Sequence, residues 1–501
     1  MLISLYDSRM KFSKQDTLQL KKQGISVSLA AGQLERLKKG FPFVQLMKPC
    51  TAGDGIFRLN AREQKTAEKK FQGEAFRKTI LKFVPASGAA SRMFQFLEDQ
   101  DSKHDAAKQK FLEALPRFAF YAELAAALKK KGHDITALAR KKDLKTIVSA
   151  LLEKDGLGYR EAPKGMILFH GRGKNARTAF EEQLDEARVF ADKKKTSHLH
   201  FTLPPAARKN VRLHLKQATR GAKFMIADSI QSPASECLAM EKNGKPARND
   251  KNSLLLRPSG HGALLENLNR LKADLIYVKN IDNILPAGKR KEADRWKKIL
   301  TGFFLFKQEE IFRAQEILAQ KKMQPRDLLF TLVLAQELGW DAAYAGAGGS
   351  RKSLKHFFNR PFRVCAMVPN AGEPGGGPFW IKDSRGKISA QVIESAEVNL
   401  KNKAQEKIWR ASTHFNPVDF VCGVYDRRGK KYNLPEFCDP ERGLIAEKSY
   451  QGRAIRVMEL PGLWNGSMAD WLTIFVEVPG VTFAPVKTVL DLLRKEHQVK
   501  K

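Results

Sequence analysis

TILKFVPASGAASRMF, residues 79–94, decides how the rest of the chain is read. Ile80, Leu81, Phe83 and Val84 make an apolar run of strand length, and Pro85 stops it. Ala86, Ser87, Gly88, Ala89, Ala90 and Ser91 follow, all small enough for a backbone to approach a phosphate group. Arg92 closes the run, and MFQFLEDQ continues as an expected helix. A strand, a small-residue turn and a helix start with an arginine make an anion cradle, because orphan N–H groups point at the ligand. The same residues also build a plain strand-to-helix turn, so the choice rests on the segments around them.

Downstream, from residue 163, short apolar segments alternate with amphipathic ones: PKGMILFH, TAFEEQLDEARVFADKK, SHLHFTLPP, AARKNVRLHLKQATRG and AKFMIADSIQS. Strands alternating with helices predict an α/β fold, a mostly parallel mixed sheet with helices on both faces. LIYVKNIDNIL is a further strand with a polar end. Residues 1–75 are charged and helix-prone, which predicts a helical N-terminal extension. Residues 76–290 form the α/β core, with a helical insertion at 101–155 rich in Ala, Leu, Phe and Lys. A helical segment at 291–360 follows, and 361–501 is a second mixed region that includes the PVKT strand end.

At 501 residues with 43 % apolar content, the chain can bury a sizeable core. No apolar run reaches bilayer length and the N-terminus lacks a secretory pattern, so no membrane partner and a cytoplasmic location are expected. Five cysteines (Cys50, Cys237, Cys365, Cys422, Cys438) stand singly, without the spacing of a zinc site or a disulfide framework. The charge is unusual: 89 Lys+Arg against 54 Asp+Glu, a net +35. That excess suits polyanionic partners or phosphorylated substrates. No RNA-recognition, zinc-finger or basic-zipper pattern accompanies it, which places a nucleic-acid-binding role behind the others.

Four polar clusters fall near the ends of expected strands, where open α/β sheets bind ligands: Ser87–Arg92, Lys164 in PKG, Ser259–Gly262 in PSGHG, and Asp282 in KNIDN. Small-residue loops and Arg92 suit a polyphosphate. A carboxylate at a strand end suits Mg2+, which takes few protein oxygens beside substrate phosphates. Lys164 and Lys487 are candidate phosphate clamps. Each member also has an ordinary structural reading, as a turn residue or a solvated charge. Motifs of the form GxxxxGK[ST], GxSxG and HExxH are absent, which argues against P-loop phosphotransferases, α/β-hydrolases and zinc proteases.

Taken together, ASGAASRM, PKG, the Ile-Gln-Ser strand end, PSGHG, VKNIDN, VIESAEV, HFNPVDF and FVEVP–TFAPVKTVLDLL resemble the motifs of the UDP-sugar pyrophosphorylases in order. SGAASRMF, GEPGGGPFW, THFNPVDF and GLWNGSMADW further resemble, over nearly the full length, the family designated domain of unknown function 4301. The first resemblance implies a nucleotidyltransferase core of the glycosyltransferase-A kind with helical additions. It implies that Ser87 and Gly88 lie under a nucleotide, with Arg92 facing the departing phosphates. It gives Lys164 and Lys487 phosphate contacts, Gln231 the uracil edge, and Gly260, His261 and Gly262 the base and ribose. Asp282 would hold Mg2+, and Glu394 and Asn416 would hold sugar hydroxyls. Glu373, in the EPGGGPFW tract, is expected on the sugar side of the cleft, and LPGLWNGSMADW beneath the Lys487 strand. The implied activity joins a sugar 1-phosphate to a nucleoside triphosphate, UTP being expected, with release of pyrophosphate. The alternative is a catalytically silent nucleotide- or nucleotide-sugar-binding protein of the same fold.

Overall fold

The computed structural model describes residues 12–340, 350–372, 376–384 and 386–499. Its centre is a ten-stranded mixed sheet. Read across, the strands are 51–52, 55–57, 472–477, 362–369, 419–423, 275–279, 80–85, 197–202 and 224–229, with 414–415 paired to the end of 362–369. From 55–57 to 224–229 the strands run parallel, except that 419–423 lies antiparallel to both its neighbours. All five residues of Leu275–Lys279 are buried, as a central parallel strand covered on both faces requires.

Period-2 alternation sorts the side chains. Ile80, Leu275, Tyr277, Val364 and Ile474 face the 29-residue helix Lys291–Ala319. Val84, Leu199 and Phe201 continue that face and carry the helices of the 101–155 segment. Phe83, Ile276, Val278, Met367 and Phe475 point the other way, against helix Leu264–Arg270 and the turn at 463–471. Each fully buried aliphatic or aromatic side chain here contributes about 1.5–3 kcal/mol relative to exposure.

Two expectations are corrected. The N-terminal 75 residues are not purely helical. Helices Lys14–Gln23, Val27–Lys39 and Ala61–Glu74 flank the strands Gln45–Pro49, Thr51–Ala52 and Gly55–Phe57. The 45–49 strand pairs with Gly377–Lys382 and the 55–57 strand with 472–477, so distant partners override a helix-prone composition. PKGMILFH, in turn, stays out of the parallel sheet. After a single tight turn at Lys164–Met166, its Leu168–His170 strand pairs antiparallel with Arg177–Thr178.

Two smaller antiparallel sheets flank the core. One is built from 45–49, 377–382 and 388–393, the other from 256–257, 237–241, 453–459 and 444–450. Among the described residues no helix is long and apolar enough to cross a membrane.

Candidate functional site

The strand ending at Pro85 feeds a loop that is stitched to a second segment. Ala90 N–H donates to Ala162 O at 3.0 Å and Lys164 N–H donates to Gly88 O at 3.1 Å. The amides of Ser87, Gly88 and Ala89 have no acceptor among the described residues. Gly88, Ala89, Ser91 and Arg92 are exposed, and the space beside Gly88 is open. Helix Ser91–Glu98 starts here with Ala90 at its cap, so no side chain accepts from its first N–H groups. Arg92 makes no ion pair among the described residues. Free amides, an uncapped helix start and an unpaired arginine can together receive an anion.

Lys164, fixed by that stitching, reaches the end of the 275–279 strand. Its Nζ donates to Asp282 Oδ2 at 2.8 Å, and Lys487 Nζ reaches the same oxygen at 3.3 Å. Asp282 O accepts from Val486 N–H at 3.0 Å, and Asn283 Oδ1 accepts from Ala484 N–H at 3.1 Å, so KNIDN and FAPVK form one rigid block. Asp491 Oδ2 then accepts from the Lys487 and Thr488 amides and turns the chain away. Burial pushes the Asp282 carboxyl up, but Lys164 and Lys487 outweigh it and hold the group below the ordinary carboxylate range. Burial also pulls Lys164 below the ordinary lysine range, against the attraction of Asp282.

Asp282 and Lys487 open onto a cleft of about 120 Å3 that Asn280, Glu394, Asn416 and Trp464 also line. Glu394 is oriented from behind. It starts a tight turn whose reciprocal cap is Glu397, and Glu397 is gripped by Arg442 at 2.7 Å and by Asn465 Nδ2 at 3.0 Å. Leu463 N–H donates to His261 Nδ1, which leaves the ring proton on Nε2, 3.5 Å from Glu394 Oε1. The His261 ring stacks on Trp464 with centroids 4.0 Å apart. Burial raises the Glu394 carboxyl, but His261 and Trp464 more than offset it and keep the group below its ordinary value. Asn416 Oδ1 accepts from Val418 N–H at 3.1 Å and holds Val418 at φ +53°. A β-branched residue there costs about 1–3 kcal/mol, strain of the kind found at ligand clamps.

Of the residues singled out in the sequence, Asp282, Lys487, Glu394 and Asn416 share this cleft. Lys164 joins it through Asp282, and His261 through Glu394 and Trp464. Ser87, Gly88 and Arg92 lie on the loop that Lys164 ties down. Gln231, beyond the 224–229 strand, donates to Ser235 Oγ at 3.3 Å and does not line the cleft. Glu373 lies outside the described residues. LPGLWNGSMADW contributes Trp464 to the cleft wall itself, a role its Trp-flanked glycines could have signalled.

Gly260 and Gly262 serve close packing. Gly260 has φ +76°, and a Cβ on Gly262 would lie 2.2 Å from Pro461 O. Because the obstacle is backbone, Gly262→Ala is expected to cost at least about 1–3 kcal/mol. Gly260→Ala meets the flexible end of Glu459 at 3.0 Å and is strained chiefly by its φ. Chemical denaturation of the two variants measures the difference.

Set beside solved structures, the fold is similar to the uridine diphosphate N-acetylglucosamine pyrophosphorylase of Trypanosoma brucei, at 12% identity and TM-score 0.50, covering 96% of this chain and 79% of that one. It is also similar to the UDP-glucose pyrophosphorylase of Leishmania major, at 12% identity and TM-score 0.42, covering 96% of this chain and 79% of that one. At such identities the likeness is one of fold. No curated protein matches the chain. The model of one family, Domain of unknown function (DUF4301), matches residues 13–498, and the chain belongs to that family.

Proposed function

We propose that the protein is a cytoplasmic Mg2+-dependent nucleotidyltransferase that joins a sugar 1-phosphate to a nucleoside triphosphate, UTP foremost. The observation that carries this reading is the convergence of Lys164 and Lys487 on Asp282, beside the free amides of Ser87–Ala89. A phosphate oxygen of the sugar 1-phosphate attacks the α-phosphorus, the α–β phosphoanhydride bond breaks, and pyrophosphate leaves with its electron pair. The nucleophile is already ionised, so positioning and charge neutralisation do the work and no general base is needed. In this reading the cradle amides and Arg92 hold the departing phosphates, and Lys164 and Lys487 screen the charge that develops. Glu394 accepts and Asn416 donates hydrogen bonds to sugar hydroxyls, and in this reading the nucleotide side falls to Gly260 and His261.

Among the described residues no three His, Cys, Asp or Glu side chains cluster as a metal cage. Asp282 Oδ2 is engaged by both lysines, and Oδ1 makes no hydrogen bond among the described residues. That fits an ion held by one carboxylate oxygen together with substrate phosphates. Bound there, Mg2+ supplies Lewis-acid neutralisation of the phosphate oxygens.

Purified protein given UTP, Mg2+ and a panel of sugar 1-phosphates is expected to release pyrophosphate with at least one sugar. Nucleotide binding without turnover for any triphosphate would instead identify a silent binder and overturn the transferase reading.

A further inference from the structure

Away from the cleft, the Leu168–His170 strand and the C-terminal segment meet around a second cavity of about 270 Å3. Arg117, His170, Arg172, Asn175 and His497 line it, and among the described residues no acidic side chain does. The volume holds several waters' worth of ligand, at about 30 Å3 for each water.

At its floor lies a buried relay. Glu182 Oε1 is 3.2 Å from His170 Nδ1, and His170 Nε2 is 2.9 Å from His497 Nδ1. The two rings are nearly coplanar at 17°, and each histidine is only 2 % exposed. With Glu182 as a carboxylate and His170 in its neutral form, the His170 proton sits on Nδ1 and its Nε2 accepts from His497 Nδ1–H. His497 Nε2 is then a bare lone pair, and it is buried with no partner among the described residues. Such an atom costs about 1–3 kcal/mol unless something donates to it. Burial above all, with the charges of Arg494 and Lys289, pushes the His497 imidazole down to about 3, which keeps the ring neutral.

The loop above is shaped for close approach. Gly171 has φ +79°, and a Cβ there would fall 2.0 Å from Asn175 O. Arg172, beside it, is exposed and has no ion-pair partner among the described residues. Arg117 donates to Leu493 O at 3.1 Å and meets no carboxylate among the described residues. The cavity thus offers two cations and one acceptor that asks for a proton donor. A metal does not suit it, because no cluster of three ligands stands among the described residues. An apolar ligand would leave the lone pair of His497 unmet.

We propose that this cavity is a second anion site, taking a singly protonated phosphate group whose P–O–H donates to His497 Nε2 while its charged oxygens meet Arg172 and Arg117. Arginine forks match phosphate geometry, and the site discriminates against anions without a proton to give. The segments that meet here also carry Lys164 and Lys487, so the ligand sits at their common anchorage.

The test is calorimetric titration of the full chain with inorganic phosphate near pH 6.5, in an Arg92→Ala background that weakens the first anion site. Phosphate is expected to bind in that background, and adding Arg172→Ala should weaken it at least tenfold. Arg172 is exposed, so its removal leaves the fold intact. His497→Gln, which places an amide where the lone pair was, should weaken binding as well. A parallel titration with glycerol phosphate distinguishes the source: tighter binding of the ester marks a small phosphorylated molecule, tighter binding of the free ion marks phosphate itself. Affinity unchanged by Arg172→Ala, or no phosphate binding in the Arg92→Ala background, overturns the proposal.

Discussion

Asp282→Asn is expected to lower pyrophosphate release by roughly 10²–10³-fold, the range seen when a preorganised charge-stabilising group is lost. The asparagine keeps the size of the side chain but removes the charge that Lys164 and Lys487 share. It also removes the carboxylate that we propose holds Mg2+. The fold should survive, because the block formed with residues 484–486 is held by main-chain groups and by Asn283. Lys164, already below the ordinary lysine range, can release its proton instead of remaining an unpaired buried cation. Initial rates and thermal melts of the two proteins check both halves. Turnover equal to that of the parent protein would remove Asp282 from the mechanism.

The largest stability effect is expected at Glu186→Gln, for which we predict a loss of about 3–5 kcal/mol, the cost of breaking a buried ion pair from one side. Glu186 lies fully buried between the sheet and two helices. Its Oε1 is 2.7 Å from Lys82 Nζ, and its Oε2 lies 2.8 Å from Lys279 and 3.1 Å from Lys297. Asp419, 3.7 Å from Lys279, is the other carboxylate near that lysine. Burial pushes the Glu186 carboxyl up, yet the three lysines dominate and hold it well below its ordinary range. Burial takes Lys82 the opposite way, down to about 8. A neutral glutamine would strand these ammonium groups where water cannot reach them.

The sign of the acid response follows. The folded carboxyl titrates far below the unfolded value of 4.5, so the unfolded chain binds the proton first, and stability falls as pH drops below about 4.5. Urea midpoints across pH 3–7 should show that fall in the parent protein and a shallower one in Glu186→Gln. A shift under about 1 kcal/mol at pH 7 would mean that the lysines do not depend on this carboxylate.

How far these features were legible depends on where their causes sit. The cradle, PKG, IDN and PVK are readable because each is a local signal at a strand end, and the sheet brings strand ends together. Lys82 gives no such signal. Within ILKFVP it is one cation in an apolar run, and its carboxylate lies 104 residues away. The His170–His497 pair is separated by 327 residues. Glycines were legible as glycines but not by every cause: the resemblance gives those of PSGHG a place against base and ribose, while the demand that the Pro461 carbonyl makes on Gly262 comes from a residue 199 positions away and leaves no local signal. The antiparallel 419–423 strand is as apolar as its parallel neighbours, so composition cannot tell its direction.

The 55–57 strand has one consequence for how the molecule is made. Its bridge to the rest of the sheet is the 472–477 strand, through the pairs Ile56–Phe475 and Phe57–Val476. The neighbouring Arg58–Glu477 ion pair spans 419 residues. At roughly 5–20 residues per second of synthesis, the early strand waits tens of seconds for its partner. During that interval its hydrogen-bonding edge is open, and a nascent-chain chaperone has reason to cover it. The sheet is therefore closed last at the side that was translated first, and fragments that stop short of residue 472 cannot close it.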